Sequence, residues 1–169
     1  LMSKPGIFGW NKIDQGSAFL INHLPAFIQS YPQENTPQSL LDLGCGYGYL
    51  SCAASQQGFK EITATDNNAA ALTACQANFS ALAINGTVIA GDAGSQIDQQ
   101  FDGIICNPPF HQGFNIDSAL TEKFLSASKR LLAPSGKVLF VVNNFIPLEK
   151  KARDYFSCVA EVARSGSFK

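Results

Sequence analysis

The sequence predicts an α/β fold with a doubly wound, mostly parallel sheet between helices. From residue 39 onward, apolar runs alternate with Ala- and Leu-rich helical stretches, and strands and helices in turn are typical of a parallel sheet. Polar or glycine-rich turns follow the first and fourth runs. The length of 169 residues suits about one domain, which buries roughly 70% of its unfolded surface. The five runs lie at 39–44, 61–65, 86–90, 101–106 and 136–142.

The N-terminal part precedes this alternation. Apolar residues near helical spacing predict a helix over Ser17–Gln29, with Ser17 as its N-cap and with Pro25 shortening or kinking it. The Pro-rich, polar stretch from Tyr31 to Gln38 indicates a linker. We therefore interpret residues 1–169 as one domain, with 1–38 as an N-terminal segment and linker and 39–169 as the core.

Composition excludes several classes of protein. Charged residues make up 15% and hydrophobic residues 46% of the chain, which excludes a disordered chain. Apolar runs such as 138–142 are far shorter than the roughly 20 residues that cross a bilayer. The net charge of -1 excludes nucleic-acid binding by overall electrostatics, so an RNA partner requires a local patch.

The cysteines indicate free thiols in a reducing compartment. Five cysteines are present, with no CxxC pair, and the sequence shows no secretory signal peptide. Only two histidines accompany them, which disfavours a zinc site. We expect a cytoplasmic protein that uses neither a metal nor a membrane.

Two turns are predicted to share one crevice. Right-handed crossovers in a doubly wound sheet make the first and fourth strands neighbours at the topological switch point. The turns Gly44–Gly48 and Asn107–Phe110 then face each other at the carboxyl ends of these strands, where ligands bind in such folds.

The first turn favours a cationic ligand. It has the sequence Asp42-Leu-Gly44-Cys-Gly46-Tyr-Gly48, and its glycines let the backbone approach a ligand closely. The third glycine comes one residue earlier than in the dinucleotide fingerprint, and the carboxylate of Asp42 would repel a pyrophosphate. S-adenosylmethionine, with its ammonium and sulfonium groups, suits the turn better. The competing interpretation is a tight connection that binds nothing.

Two further acids follow the next strands. Asp66 comes 20 residues after Gly46, where an acid accepts hydrogen bonds from ribose hydroxyls. Its alternative role is to cap the next helix, which Asn67 or Asn68 could also do. Asp92 is placed to accept from an adenine amino group, with Ala93 as a small apolar wall, and a plain N-cap is the competing interpretation of Asp92.

The second turn, Asn107-Pro108-Pro109-Phe110-His111, indicates chemistry on an amine. Two prolines alone would only end a strand. An exocyclic amine is a poor nucleophile, but it can aim its lone pair at a methyl group if the Asn107 carboxamide oxygen and the Pro108 carbonyl each accept one of its hydrogens. Phe110 offers a face on which a base stacks, worth about 1 to 3 kcal/mol. His111 either contacts substrate and assists proton loss or is an ordinary loop histidine.

These residues carry a family resemblance. The two turns, together with the segment Pro5-Gly-Ile-Phe-Gly-Trp-Asn-Lys-Ile-Asp14-Gln-Gly-Ser17, resemble the small-subunit ribosomal RNA guanine-N2 methyltransferases of the RsmC type. The resemblance implies a class I, Rossmann-like fold and transfer of a methyl group from S-adenosylmethionine to the 2-amino group of a guanine in 16S ribosomal RNA. It implies catalytic roles for Asn107, Pro108 and Phe110, cofactor roles for Asp42, Gly44, Gly46, Asp66 and Asp92, and a place for the Asp14–Ser17 segment, with Gly16, at the methionine end of the cofactor.

The same resemblance carries two expectations about the rest of the protein. Members of that family have a degenerate methyltransferase-like domain upstream, so we expect one to precede this chain, whose first residue is Leu1. Class I sheets also end with an antiparallel strand beside the fifth, and the sequence stops at Lys169, so we expect that strand to be missing. The implied partner is ribosomal RNA or the small ribosomal subunit.

Three alternatives stay open at this stage. The same type of turn acts in N-methyltransferases of a protein glutamine or of adenine in DNA. A non-catalytic module that binds S-adenosylmethionine or RNA is a second alternative, against which the intact Asn107 and Phe110 argue. An NAD-dependent dehydrogenase is the third.

Overall fold

A computed structural model describes residues 1–109, 111–112, 115–116 and 118–169. These residues form the strands β1 (Ser39–Leu43), β2 (Glu61–Asp66), β3 (Gly86–Ala90), β4 (Phe101–Cys106), β5 (His111–Gln112), β6 (Asn115–Ile116) and β7 (Leu132–Phe140). The main sheet is parallel and has the order β3-β2-β1-β4-β7. A separate antiparallel pair, β5 and β6, follows the Asn-Pro-Pro turn.

Helices cover both faces of the sheet. The described residues form the α-helices α1 (Gln15–Gln29), α2 (Tyr49–Ser55), α3 (Ala69–Ala81), α4 (Ser118–Leu131) and α5 (Leu148–Ala152). One apolar cluster joins α1, α2 and α3 to one face of the sheet, and a second joins α4 and α5 to the other. The predicted doubly wound α/β class is therefore confirmed, and none of the described helices is long and apolar enough to span a membrane.

Strand β1 lies at the centre of the sheet and fixes the switch point. Leu41 pairs with Thr63 of β2 and with Ile104 of β4, and its side chain is fully buried. A strand buried on both faces reads as a continuous apolar run, as Leu40-Leu41 and Leu43 do here. The predicted adjacency of the first and fourth strands is confirmed, so the two turns that follow them emerge side by side.

The first helix begins earlier than the sequence predicts. Its N-cap is Asp14, whose carboxylate accepts from the Ser17 backbone N–H at 2.7 Å, so the assignment of Ser17 as N-cap is wrong. The helix continues through Pro25 to Gln29 as one element of 15 residues. The Ser17 side chain is thereby released for another contact, described below.

Strand β7 also differs from its predicted bounds of 136–142. It begins at Leu132, which pairs with Phe101, and the register then shifts before Lys137 pairs with Gly103. Beyond the strand, Val142 exchanges two backbone hydrogen bonds with Lys169, at 3.0 and 2.9 Å. Among the described residues no antiparallel strand joins the main sheet, but this exchange brings the segment around Phe168 back toward the switch point.

Candidate active site

The two turns line a single cavity of about 600 Å³ at the carboxyl ends of the strands. Gly44 and Gly46 of the first turn and Asn107 and Pro108 of the second all contribute to its wall. Its volume lies in the range of pockets that hold small molecules, about 300 to 1,000 Å³. The predicted shared crevice is therefore present.

Backbone hydrogen bonds fix the conformation of the glycine turn. The N–H groups of Gly44 and Cys45 both donate to the Thr65 carbonyl at 2.9 Å. Gly46 adopts a φ of +55°, and a Cβ built at this position would meet nothing within 4 Å. Because Gly46 lines the cavity, this open space is where a ligand can approach the backbone.

Asp66 braces the glycine turn from the end of β2. Its Oδ2 accepts from the Gly46 N–H at 2.9 Å, and its Oδ1 accepts from the Asn68 N–H at 2.8 Å. Asn68, and not Asp66, is the N-cap of α3, and its side chain accepts from the N–H groups of Ala70 and Ala71. A carboxylate offers about four acceptor sites, so Asp66 on the cavity wall can still accept from a ligand hydroxyl.

Asp42 lies behind the turn and does not line the cavity. It is fully buried, and its Oδ2 accepts from the Ser51 N–H at 3.0 Å and the Ser51 hydroxyl at 2.6 Å. Its Oδ1 has no hydrogen-bond partner among the described residues. Burial, with a smaller contribution from the Asp66 charge, raises the pKa of Asp42 to about 7. We therefore revise the expected direct contact of Asp42 with a cofactor to an electrostatic one.

This pKa makes stability depend on pH in a defined direction. Between pH 4 and pH 7 the folded protein holds a proton on Asp42 that the unfolded chain has lost, so this residue lowers the free energy of unfolding as pH rises. Relative to the variant Asp42→Asn, the wild type should lose about 1.4 kcal/mol for each pH unit in that interval. Urea unfolding of both proteins at several pH values measures the difference, and a constant difference would contradict the assignment.

Asp92 and Ala93 form the wall beyond β3. The backbone of Ala93 is left-handed, with φ 50° and ψ 46°, a strained state for a residue with a Cβ and one that tends to occur at functional sites. Asp92 forms an ion pair with Lys123 of α4 through Oδ2. The cap of the short 3-10 helix here is Gly91, without a side-chain bond, so Asp92 does not serve as its N-cap.

Asn107 is held in one orientation by the start of α1. Its Nδ2 donates to Asp14 Oδ2 at 2.7 Å and to Ser17 Oγ at 2.8 Å. Pro108 follows it on the cavity wall. Phe110 and the side chain of His111 lie outside the described residues, so their predicted roles at the substrate stay predictions.

Gly16 supports this arrangement from behind. It does not line the cavity; a Cβ at this position would come within 3.1 Å of Asp14 Oδ2, 3.1 Å of the Phe168 ring and 3.4 Å of Asn107 Nδ2. A side chain at this position would require these neighbours to move by a few tenths of an ångström. Any contribution of Gly16 to a cofactor is therefore through the position of Asn107.

Among the described residues that line the cavity, Asp14, Asp66 and Asp92 are acidic and none is basic. Such a wall disfavours the pyrophosphate of a dinucleotide and favours a ligand that carries positive charge. The buried Asp42 adds to the same field whenever it is ionised.

The described part of the chain does not favour a cysteine nucleophile or a metal site. Burial raises the pKa of Cys106, and a hydrogen bond to Cys75 together with burial raises that of Cys45, so neither is a ready thiolate nucleophile. No group of three or more His, Cys, Asp or Glu residues there is placed to hold a metal ion. A second cavity of about 180 Å³ between α1 and β7 has mostly apolar walls and contains none of the predicted site residues.

Sequence reasoning did not assign roles to several residues at this site. Phe8, Asn143 and Phe168 line the cavity although they are distant from both turns in sequence. Asp14 was part of a recognised motif, but its bond to Asn107 spans 93 residues. The only local signal was an acid three residues before Ser17, which is the spacing of an N-cap to N3 bond.

Comparison with known proteins identifies the family. A model of the methyltransferase small domain matches residues 1–169. The chain belongs to this family. A small-subunit ribosomal RNA methyltransferase C from Yersinia enterocolitica is 34% identical over 98% of the chain, and one from Chromohalobacter salexigens is 32% identical over 92%. The resemblance to the RsmC type is thereby confirmed, and the chain spans about half the length of these relatives, 46% and 45%.

Solved structures agree on the fold of this methyltransferase domain. The 16S rRNA N2 G1207 methyltransferase RsmC of Thermus thermophilus, in complex with AdoMet and guanosine, matches 98% of the chain and 44% of its own length, with a TM-score of 0.85 and 24% identity. A ribosomal protein L11 methylase from Lactobacillus delbrueckii matches with a TM-score of 0.73 and 21% identity. The class I methyltransferase fold expected from the sequence is confirmed.

Proposed function

We propose that this domain transfers a methyl group from S-adenosylmethionine to the exocyclic 2-amino group of a guanine in 16S ribosomal RNA. The observation that carries the proposal is Asn107, whose two amide hydrogens are both donated to the protein at the wall of an acidic cavity. Its carboxamide oxygen is left to accept a hydrogen from an amine.

The cavity suits the cofactor on two counts. The acidic wall complements a ligand with ammonium and sulfonium charges, and Gly46 leaves open space at the backbone. When bound, S-adenosylmethionine supplies an activated methyl group. We assign the ribose hydroxyls to Asp66, the adenine amino group to Asp92 with Ala93 beside it, and the methionine end to the turn from Gly44 to Gly46.

The chain's residues orient the amine rather than activate it by a strong base. Asn107 Oδ1 and the Pro108 carbonyl would each accept one amine hydrogen, which leaves the nitrogen lone pair free to attack. Bound S-adenosylmethionine would supply the methyl group: its carbon–sulfur bond would break, with the electron pair left on sulfur, as the new nitrogen–carbon bond forms. The methylated nitrogen then loses a proton to water, and orientation supplies most of the rate enhancement. Stacking of the base on Phe110 and a contact with His111 remain part of the proposal.

The RNA substrate is supported by the relatives, which are named as methyltransferases of ribosomal RNA. Because those proteins are about twice as long as this chain, we propose that a further domain upstream contributes to capture of the RNA or the small subunit. Exposed apolar side chains lie in the segment that leads into α1: Phe8, Trp10 and Ile13 are 73%, 47% and 54% exposed. Phe8 lines the cavity, so this segment lies at its mouth.

Labelled S-adenosylmethionine tests the proposal directly. The domain is incubated with small subunits from cells that lack the protein, with a glutamine peptide and with an adenine-containing DNA duplex as competing substrates. We expect label in N2-methylguanosine at one position of 16S RNA, identified by nucleoside mass spectrometry. Label only in the peptide or the DNA would refute the guanine assignment.

The aromatic segment at the mouth gives a separate prediction. Trp10→Ala should weaken binding of the small-subunit RNA by about tenfold, because stacking on an aromatic side chain is worth about 1 to 3 kcal/mol per base. Leu82→Ala is the control for loss of an exposed apolar side chain, since Leu82 is similarly exposed at 49% but follows α3 and lies outside the segment that leads into α1. Filter binding with labelled RNA measures both, and equal affinities for the two variants would argue against a base contact by Trp10.

A further inference from the structure

We infer that Asp14 is a positioning residue that fixes which end of the Asn107 carboxamide faces the substrate. The inference rests on the proposed function, in which Asn107 accepts a hydrogen from the target amine. It assigns to Asp14 a role in the reaction beyond capping helix α1.

The chemistry of Asp14 decides the orientation of Asn107. An ionised carboxylate only accepts hydrogen bonds, and Asp14 Oδ2 lies 2.7 Å from the Asn107 amide atom. If the amide were reversed, two oxygens would meet at that distance without a proton between them. The nitrogen must therefore face Asp14, and its second hydrogen is donated to Ser17 Oγ at 2.8 Å. Both hydrogens are used, so Oδ1 alone is offered to a ligand.

Asp14 is itself held on a rigid element. The same oxygen, Oδ2, accepts from the Ser17 backbone N–H at 2.7 Å, at the N-terminus of a 15-residue helix where negative charge is favoured. Gly16 leaves room for the contact between Asp14 and Asn107, because a Cβ at position 16 would come within 3.1 Å of Asp14 Oδ2 and 3.4 Å of Asn107 Nδ2. One carboxylate oxygen thus joins the start of α1 to the turn after β4, 93 residues away.

The consequence is a preorganised acceptor. Without Asp14 the Asn107 carboxamide can rotate and turn its N–H groups toward the target amine. The hydrogens of the amine would then face hydrogen-bond donors instead of an acceptor. A misoriented positioning group of this kind costs about 100-fold in rate. The loss should fall on kcat.

A double-variant cycle tests this role. Asp14→Ser keeps a hydroxyl that caps α1 but does not reach Asn107, so kcat should fall about 100-fold. Asn107→Asp places a second carboxylate against Asp14, and kcat should fall at least about 100-fold; this carboxylate, however, presents an oxygen to the amine whichever way it turns. Adding Asp14→Ser to Asn107→Asp should therefore lower kcat no further. A further loss of about 100-fold in the double variant would overturn the inference, because a purely structural Asp14 costs the same factor with either residue at position 107.

A spectroscopic measurement needs no activity. In Asp14→Ser the shorter hydroxyl still caps the helix but does not reach Asn107. The side-chain amide signals of Asn107, identified by their absence from Asn107→Ala, should shift in this variant and stay in place in the control Asp98→Ser, at an exposed position. Unchanged signals in Asp14→Ser would contradict the inference. If the wild type methylates no guanine, the proposed function fails, and this measurement still decides whether Asp14 orients Asn107.

Discussion

Asn107→Ala should lower kcat for methyl transfer about 1,000-fold. The substitution removes the oxygen that accepts a hydrogen of the target amine, and such preorganised groups are worth about 100- to 1,000-fold in rate. The affinity for S-adenosylmethionine should change less than about threefold, because the cofactor contacts assigned here lie on the turn after β1 and at the ends of β2 and β3. Single-turnover kinetics and calorimetry with the cofactor measure the two quantities.

The control for this variant is Asn35→Ala, an exposed asparagine in the short 3-10 helix before β1. It should retain wild-type turnover and cofactor affinity. A large loss of cofactor affinity in Asn107→Ala, with turnover at saturation preserved, would place Asn107 in cofactor binding and contradict the role assigned to it.

Gly46→Ala should weaken binding of S-adenosylmethionine about 100-fold, equivalent to about 2.7 kcal/mol. The position has φ +55° and open space where a Cβ would lie, so the added methyl group meets nothing in the free protein and projects into the cavity that Gly46 lines. The substitution should therefore weaken ligand binding without disturbing the packing of the free protein. Calorimetric titration with the cofactor measures it.

Gly58→Ala is matched to this variant in backbone and space. Gly58 has φ +97° and also finds nothing within 4 Å of its Cβ position, but it does not line the cavity. Both variants should lose similar stability, about 1 kcal/mol for a left-handed residue with a Cβ, and only Gly46→Ala should lose cofactor affinity. Equal affinities would mean that the cofactor does not approach Gly46.

The sheet could be predicted from the sequence because its information is local. Apolar runs such as Leu40–Leu43 and Ile104–Cys106 predict buried parallel strands. Because crossovers between parallel strands are right-handed, only a few strand orders in the sheet are possible. The shared cavity of Gly46 and Asn107 follows from that order. The start of strand β7 was predicted at residue 136, but the strand begins at Leu132, which pairs with Phe101 before the register shifts. The amino-acid composition of the segment does not reveal such a shift.

The details of the site depend on contacts between residues that are far apart in the sequence, and such contacts could not be predicted from it. Ser17 has the side chain of an N-cap, yet Asp14 takes that position and Ser17 instead binds Asn107. Asp42 belongs to a recognisable motif, but only the structure shows that it is fully buried and bonded to Ser51. Phe168 reaches the cavity through backbone pairing of the neighbouring Lys169 with Val142.

A crystal structure of the protein with guanosine and sinefungin, an unreactive analogue of S-adenosylmethionine, tests the account most directly. The analogue should lie in the cavity with its reactive end between the Gly44–Gly46 turn and Asn107. The guanine 2-amino group should donate to Asn107 Oδ1 and to the Pro108 carbonyl. An analogue bound outside this cavity, or a guanine whose amino group donates to neither acceptor, would contradict the account.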